Sequence, residues 1–210
     1  MTKSIKPFLR GHFHQAAFFM ALGACTLLVI KSFETSAFWA TLIYSLSLVS
    51  LLGISALYHR INWGPRFRMV MRRLDHAAIY FLIAGTMTPI CLLTLPATSG
   101  RNLLIIGWVV AVAGMLLSTV FTQTPKWLNA LLYIIAGLMV VPFLPEMAAN
   151  LGPVNLGLII SGGIVYVLGA LAYAFKKPDF FPHIFGYHEL FHILVIVGAA
   201  LHFTVIYNLL

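Results

Sequence analysis

Long apolar runs alternate with short polar segments along the whole chain. Most runs reach the roughly 17 to 25 residues that a helix needs to cross the hydrocarbon core of a bilayer. Because only helices and closed barrels satisfy every backbone hydrogen bond within lipid, the pattern predicts an all-α bundle of membrane-spanning helices. Seven runs are predicted as transmembrane helices, at residues 15–30, 37–58, 75–95, 102–121, 127–144, 154–175 and 186–209.

The first run, residues 15–30, is short for a membrane span and allows two interpretations. Basic residues precede it and the small residues 35–37 follow it, which is also the pattern of a cleaved signal peptide. We favour a retained helix behind a short basic tail, residues 1–14. The remaining loops are short, and no linker or internal repeat divides the chain, so we predict a single transmembrane domain over residues 1–210.

Composition supports the membrane interpretation. Of the 210 residues, 61% are hydrophobic and 9% are charged, and the mean hydropathy is +0.97. A soluble domain has roughly one quarter charged residues, so a soluble fold is excluded. The two cysteines, Cys25 and Cys91, each lie inside an apolar run, which argues against a disulfide framework and against a thiolate metal site.

The net charge of +8 raises the possibility of nucleic-acid binding, but the basic residues fall in the loops. If the N-terminus is cytoplasmic, Lys31 and Arg101 alone lie on the outer side. The cytoplasmic side then carries Lys3, Lys6, Arg10, Arg60, Arg66, Arg68, Arg72, Arg73, Lys126, Lys176 and Lys177. This asymmetry predicts a cytoplasmic N-terminus and a periplasmic or extracellular C-terminus, with the arginines meeting anionic headgroups rather than a substrate.

The candidate chemistry lies at the predicted cytoplasmic ends of three helices. His188 and His192 are four residues apart and share one helix face, with a rise of about 6 Å between them. His59 closes the second predicted span and Asp75 opens the third, and Ser55 lies one turn before His59. Ionisable groups at membrane depth are costly, so this coincidence of depth predicts a functional site.

Three histidines from two helices suit a zinc ion with a fourth position open to water, which is the arrangement of a catalytic zinc site. Asp75 would hold that water or take its proton, and Ser55 would donate to an oxygen on which negative charge develops. The predicted reaction is hydrolysis of a carbonyl compound that reaches the site from the bilayer.

Each of these residues also has a simpler interpretation. His188 and His192 could form an interhelical hydrogen-bonded pair, and Ser55 could bond its own helix backbone. His202 lies about 15 Å along the helix from His192, too far to share its ion, and is interpreted as a cavity-lining or helix-bridging group. Four histidines near the ends of spans are interpreted as packed or interfacial residues: His12, His14, His76 and His183.

Residues 188–192 also spell the H-E-x-x-H signature of zinc proteases, in which the glutamate is the general base. An intramembrane metalloprotease is therefore an alternative. Such proteases carry their third ligand, an aspartate, after this motif, whereas no Asp or Glu follows Glu189 in this chain. If His59 is the third ligand, Glu189 points elsewhere, because neighbouring helical residues diverge by about 100°.

Three motifs together carry a resemblance to a known family. They are Ser-Ala-Leu-Tyr-His at 55–59, Arg-Leu-Asp-His-Ala-Ala-Ile-Tyr at 73–80 and His-Glu-Leu-Phe-His at 188–192, with His202 downstream. This combination resembles the hemolysin III branch of the progestin and adipoQ receptor family, and the resemblance covers essentially the whole chain.

The resemblance implies a seven-helix fold with a cytoplasmic N-terminus in a bacterial inner membrane. It implies a zinc ion on His59, His188 and His192, with Asp75 reaching the metal through water and Ser55 close by. Adiponectin receptors of this family are linked to ceramide hydrolysis, and bacterial members to membrane lipid or energy homeostasis. The chain lacks the long N-terminal domain of the animal receptors, which puts adiponectin or steroid binding in doubt.

Two classes of function remain open from the sequence. The first is a zinc-dependent hydrolase of a membrane lipid amide or ester, with a ceramide-like or fatty-acyl substrate. The second is a non-catalytic membrane sensor in which zinc only ties helices together. Pore formation ranks third, because no polar stripe runs through a span.

Overall fold

The protein was analysed as a computed structural model, which describes residues 7–121, 124–181 and 183–210. These residues form helices joined by short loops, so the predicted all-α class is confirmed. The α-helices are α1 His12–Ser32, α2 Phe38–Arg60, α3 Pro65–Thr94, α4 Ala97–Val120, α5 Lys126–Leu138, α6 Leu144–Phe175 and α7 Tyr187–Asn208, with a 3₁₀ turn at Val141–Phe143. The basic residues Lys3 and Lys6 lie outside the described residues.

Proline and glycine set several helix starts. Pro65 occupies the first turn of α3, where a missing backbone N–H costs nothing, and Pro96 and Pro125 immediately precede α4 and α5. Gly186 immediately precedes α7 and has an extended backbone. A proline or glycine in the sequence therefore marks the start of each of these helices.

The predicted start of the third helix, at Asp75, is wrong by about three turns. The helix begins at Pro65, so that the arginine-rich segment before Asp75 is helical rather than a loop. Arginine is a good helix former, and a hydropathy pattern cannot distinguish a polar helical extension from a polar loop. Asp75 consequently lies within a helix and not at its first turn.

The count of seven membrane-spanning helices also needs correction. Within the described residues, six helical segments are long and apolar enough to cross a membrane, and one of them runs from Lys126 to Phe175. Within that segment α5 has 13 residues, about 20 Å of helix, which is shorter than the hydrocarbon core of a bilayer. It passes through the 3₁₀ turn directly into α6, so the predicted runs 127–144 and 154–175 belong to one continuous helical segment, of which only α6 is by itself long enough to cross a membrane.

The segment nevertheless doubles back on itself. Lys126, at the start of α5, contacts Tyr187 at the start of α7. At the opposite end of the bundle, Glu146 near the start of α6 accepts a hydrogen bond from Ser99 of α4. The end of α6 returns to the first end, where Tyr173 packs against His188. The chain thus reverses direction at the 3₁₀ turn, and α6 continues past a kink at Gly152.

Sequential helices pack side by side, and contact between α1 and α7 closes the arrangement. The shared core includes Leu28, Tyr44, Leu103, Met147 and Ile206, which are at most 1% exposed. Large apolar side chains also cover much of the outer surface, which is the reverse of a soluble protein. The bundle is that of a multi-pass membrane protein, with α1 packed against α2 and α7; that this first helix is retained stays a prediction.

Close helix contacts depend on small residues. At Gly85 of α3, an added Cβ would lie 2.1 Å from the hydroxyl oxygen and 2.6 Å from the Cβ of Ser47 in α2. Both distances are far below van der Waals contact, so only glycine allows the two helices to approach this closely. Gly23 of α1 differs, because a Cβ there would meet nothing within 4 Å.

We expect Gly85→Ala to destabilise the bundle by about 1–3 kcal/mol, because the added methyl group must push α2 and α3 apart. Thermal unfolding in detergent, followed by intrinsic fluorescence, measures the loss. Gly23→Ala is the matched control and should unfold at or above the wild-type temperature, since alanine is the better helix former. Equal stability of the two variants would contradict the close α2–α3 contact.

Candidate metal centre

Three buried histidines meet at one end of the bundle. His59 lies in the last turn of α2, while His188 and His192 lie one turn apart at the start of α7. One ring nitrogen from each lies within 4.8 Å of the others, and the Nε2 atoms of His188 and His59 are 3.1 Å apart. The spacing of four residues places both α7 rings on the face that meets α2.

The chemistry of this cluster fits a metal ion. The rings are 7%, 8% and 1% exposed for His59, His188 and His192. The Nδ1 atoms of His188 and His192 are buried without a hydrogen-bond partner. Buried polar atoms of this kind cost free energy, and a cation is a partner that three converging imidazoles can share. The buried cluster can therefore hold a metal ion.

Asp75 approaches the cluster from α3. Its Oδ2 atom lies 3.9 Å from Nε2 of His59, which is too long for a direct hydrogen bond and suits a bridging water. The hydroxyl of the buried Ser55 lies next to this carboxylate. A hydroxyl has one proton to donate, so a Ser55 that donates to Asp75 would orient this carboxylate rather than donate to a substrate oxygen.

The structure thus brings the five predicted site residues to one end of the bundle. The role of Ser55 as a donor to a substrate oxygen stays a prediction. The assignment of His59, His188 and His192 as ligands and of Asp75 as a catalytic group remains a prediction.

Glu189 has a different role from its neighbours in the motif. Its side chain is fully buried, and one carboxylate oxygen accepts a 2.9 Å hydrogen bond from the backbone N–H of Gly186 at the start of α7. The other oxygen forms an ion pair with Arg10. Both oxygens are occupied in capping the helix and in holding the segment before α1 against α7. A general base of a metalloprotease would need this carboxylate free.

His14 is the site neighbour that sequence reasoning missed. Its ring stacks face to face on His192, with centroids 3.8 Å apart and an interplanar angle of 8°. It is 2% exposed, and both of its ring nitrogens are buried without a hydrogen-bond partner. The residue was expected to be packed or interfacial; it is packed, but its contact joins α1 to α7 and no local pattern encodes that adjacency.

The other histidines serve elsewhere. Nε2 of His202 lies 3.1 Å from the backbone carbonyl oxygen of Ile159 in α6, so the interpretation as a helix-bridging group is confirmed. His12 contacts the guanidinium of Arg60 at 2.8 Å. His76 is partly buried and His183 is exposed, and neither belongs to the histidine cluster.

A basic and aromatic group of side chains borders the cluster. The ammonium of Lys126 donates a 2.8 Å hydrogen bond to the hydroxyl of Tyr187 and lies 4.8 Å from the ring centroid of Tyr173. The ring of Tyr173 in turn lies 5.8 Å from that of His188. These contacts fix one cation close to the histidines.

Comparison with known proteins agrees with the resemblance in the motifs. The profile of the family described as "Haemolysin-III related" matches residues 2–203. "Hemolysin-3" of Bacillus cereus is 32% identical over 207 residues, covering 97% of this chain and 91% of its own length. "Hemolysin-3 homolog" of Bacillus subtilis (strain 168) is 29% identical, with coverage of 92% and 90%. "Heptahelical transmembrane protein ADIPOR2" of Oryza sativa subsp. japonica is 30% identical, with 80% of each chain covered.

We expect His14→Ala to weaken divalent-metal binding about tenfold or more, because the ring of His192 loses the stacking partner that fixes its plane. His14→Phe keeps a stacked ring without nitrogen atoms and should bind within a few-fold of wild type. Titration with Co²⁺, followed by its visible absorption, measures both the affinity and the ligand geometry.

His183 is an exposed histidine before α7, and His183→Ala is therefore the control for the loss of one imidazole. Wild-type affinity and an unchanged Co²⁺ spectrum in folded His14→Ala would show that His14 does not position His192. A loss in His14→Phe as large as in His14→Ala would instead assign a direct role to its nitrogen atoms.

Proposed function

The chain belongs to the haemolysin-III-related family, and we propose that it is a zinc-dependent hydrolase of a membrane lipid amide or ester. The observation that carries this proposal is the buried triad of His59, His188 and His192, with the carboxylate of Asp75 beside it. A site of this kind inside a membrane bundle meets substrates that arrive from the bilayer.

The donor set favours zinc among the common metals. Imidazole is a preferred ligand of zinc, and three protein ligands leave a fourth position for water or substrate. When bound, zinc supplies a Lewis acid for a carbonyl oxygen and ionises water near neutral pH. The ligands would come from α2 and α7, so the ion would also fix the relative position of these helices.

The remaining chemistry falls to Asp75 and Ser55. Asp75 accepts a proton from the attacking water and later returns it to the nitrogen or oxygen that leaves the carbonyl carbon. The products are a fatty acid and an amine or alcohol. A hydrogen bond from the neighbouring Ser55 would orient the carboxylate, so Ser55 acts here as a positioning residue. Lys126, held by Tyr173 and Tyr187, lies where it can contact the polar part of the lipid.

The distribution of charge supports a cytoplasmic location for this end of the bundle. Among the described residues, the ends of α2, α4 and α6 and the starts of α1, α3, α5 and α7 lie on this side, and most lysines and arginines accompany them. Positive residues favour the cytoplasmic face. We place the start of α1 in the cytoplasm and the end of α7 outside, with residues 1–210 acting as one unit in a bacterial plasma membrane, as the Bacillus relatives suggest.

A second candidate function is a non-catalytic membrane sensor with a structural metal. The observation that favours it is the direct meeting of α2 and α7 at His59 and His188. Within the described ranges these two helices have little other backbone contact, so a bound ion would tie together elements that otherwise touch weakly. Metal loss would then change the helix arrangement without any chemistry. The intramembrane protease ranks below both, because the oxygens of Glu189 are occupied.

Purified wild-type protein should contain about one zinc ion per chain, and His188→Ala should lose it, because the remaining two imidazoles bind zinc far more weakly than three. Inductively coupled plasma mass spectrometry gives the stoichiometry. His183→Ala should retain the metal. Wild-type protein that is free of zinc after gentle purification, and indifferent to zinc and chelators, would contradict the metal centre.

The hydrolase proposal predicts that Asp75→Asn keeps its zinc but loses at least about 100-fold in turnover of a ceramide-like amide, because an amide cannot accept the proton. Release of fatty acid from substrate in proteoliposomes, with zinc content measured on the same sample, separates the two effects. Glu189→Gln is the matched carboxylate-to-amide control and should stay within about tenfold of wild type.

Each result favours one function. No turnover of any lipid amide or ester by zinc-loaded wild type would favour the sensor. Loss of turnover in folded, zinc-loaded Glu189→Gln, with Asp75→Asn active, would contradict the role of Asp75 and assign the general base of the hydrolase to Glu189.

A further inference from the structure

An apolar groove runs along the outer surface between α1 and α2. It has a volume of about 500 Å³ and is lined by apolar side chains that include Phe18, Val49, Ile54 and Leu57. Ligand sites in proteins commonly enclose 300 to 1,000 Å³, so the groove has the size of a binding site. Leu57 is 47% exposed, which places the opening on the lipid-facing side of the bundle.

A glycine shapes the floor of this groove. A Cβ at Gly53 of α2 would lie 2.9 Å from the ring of Phe18 in α1. The absence of a side chain at this position lets the ring lie against the backbone of α2, which keeps the space above it open. A larger residue would push Phe18 into the groove.

Arg60 lies at the end of the groove nearest the histidines. Its Nε donates a 3.0 Å hydrogen bond to the side-chain oxygen of Gln15, and its Nη1 donates a 2.8 Å hydrogen bond to Nε2 of His12. The side chain is exposed, and no carboxylate of the described ranges pairs with it. The guanidinium is therefore held in one orientation while its charge and its remaining N–H donors stay available.

We propose that this groove binds one anionic phospholipid, with an acyl chain along Phe18 and Ile54 and the headgroup phosphate on Arg60. An apolar channel that ends at a fixed cation matches the two halves of such a lipid in shape and in charge. Guanidinium is the side chain best suited to phosphate, because its parallel N–H groups bind two oxygens at once. The partners of Arg60 restrict its motion before binding, which distinguishes this position from a freely moving surface arginine.

The lipid would also stabilise the neighbouring metal centre. Gly11, at the start of α1, has a positive φ of +84° and packs so tightly that an added Cβ would lie 2.7 Å from the Cβ of His59 and 3.3 Å from the Cγ of Arg60. A lipid that bridges α1 and α2 holds this contact together. The site is separate from the proposed reaction and does not depend on it.

The test uses full-length protein in detergent with phosphatidylglycerol or phosphatidylcholine of identical acyl chains. Native mass spectrometry counts retained lipids, and thermal unfolding measures stabilisation. Wild type should retain one phosphatidylglycerol and unfold at a higher temperature with it than with phosphatidylcholine. Arg60→Gln should weaken phosphatidylglycerol binding about tenfold or more. Arg66 is an exposed arginine at the same end of the bundle, and Arg66→Gln should bind this lipid as wild type does.

A second pair of variants tests the groove itself without changing charge. Ser50→Phe places a ring in the groove and should reduce retention of phosphatidylglycerol, whereas Ser118→Phe on α4 should not. The proposal would be overturned if wild type retained both lipids equally and Arg60→Gln left that retention unchanged. So would equal losses in Arg60→Gln and Arg66→Gln, because binding would then reflect the overall positive charge of this face.

Discussion

Polar atoms inside an apolar bundle must find partners within the protein, and this requirement governs how the helices of this chain are joined. Water is absent from the hydrocarbon region, so an unpaired group there costs more free energy than at a soluble surface. Among the described residues, several buried or half-buried polar side chains accordingly reach across to a different element, while others bond the backbone of their own helix. Examples are Arg10 with Glu189, Trp108 with Thr88, Asn150 with the carbonyl oxygen of Thr94, and His202 with that of Ile159.

The histidine cluster is where this requirement is least satisfied by the protein alone. Three imidazoles and the stacked ring of His14 are buried together, and several of their nitrogens have no partner. Removing that many polar groups from water is costly unless something is gained that apolar packing would not provide. A cation shared by the three imidazoles would provide it. The two ends of the bundle differ in this respect. At the end opposite the histidines, helices are joined by direct hydrogen bonds such as that from Lys31 to the carbonyl oxygen of Tyr207.

The features that the sequence could predict are those that depend on local spacing. Hydropathy marks where an apolar helix approaches the membrane surface, so His59 and His188 could be placed at one depth from their positions alone. The spacing of His188 and His192 fixes their common face. The start of α3 at Pro65 could not be predicted in this way, because a polar helix and a polar loop have the same hydropathy. The short α5 is a similar case, since its length depends on a turn that lies within an apolar run.

Contacts between distant segments were also beyond local reasoning. His14 was recognisable as a histidine near the end of a span, but its stacking on His192 requires α1 and α7 to be neighbours. The ion pair of Arg10 with Glu189 depends on the same adjacency across 179 positions. A single sequence contains no signal for such pairing. Positive charge near the start of α1 and an acidic residue at the start of α7 are compatible with many helix arrangements.

The motif at residues 188–192 shows how the start of a helix changes the meaning of a residue pattern. Because α7 begins at Tyr187, Glu189 falls in the first turn, where the backbone N–H groups have no partner within the helix. Its carboxylate satisfies the N–H of Gly186 and is attracted by the positive end of the helix dipole. In a helix that began several residues earlier, the same glutamate would have no such N–H to bind and would be free for catalysis. A general base in the proposed hydrolase would therefore come from another helix, and Asp75 of α3 is the carboxylate that lies beside the histidines.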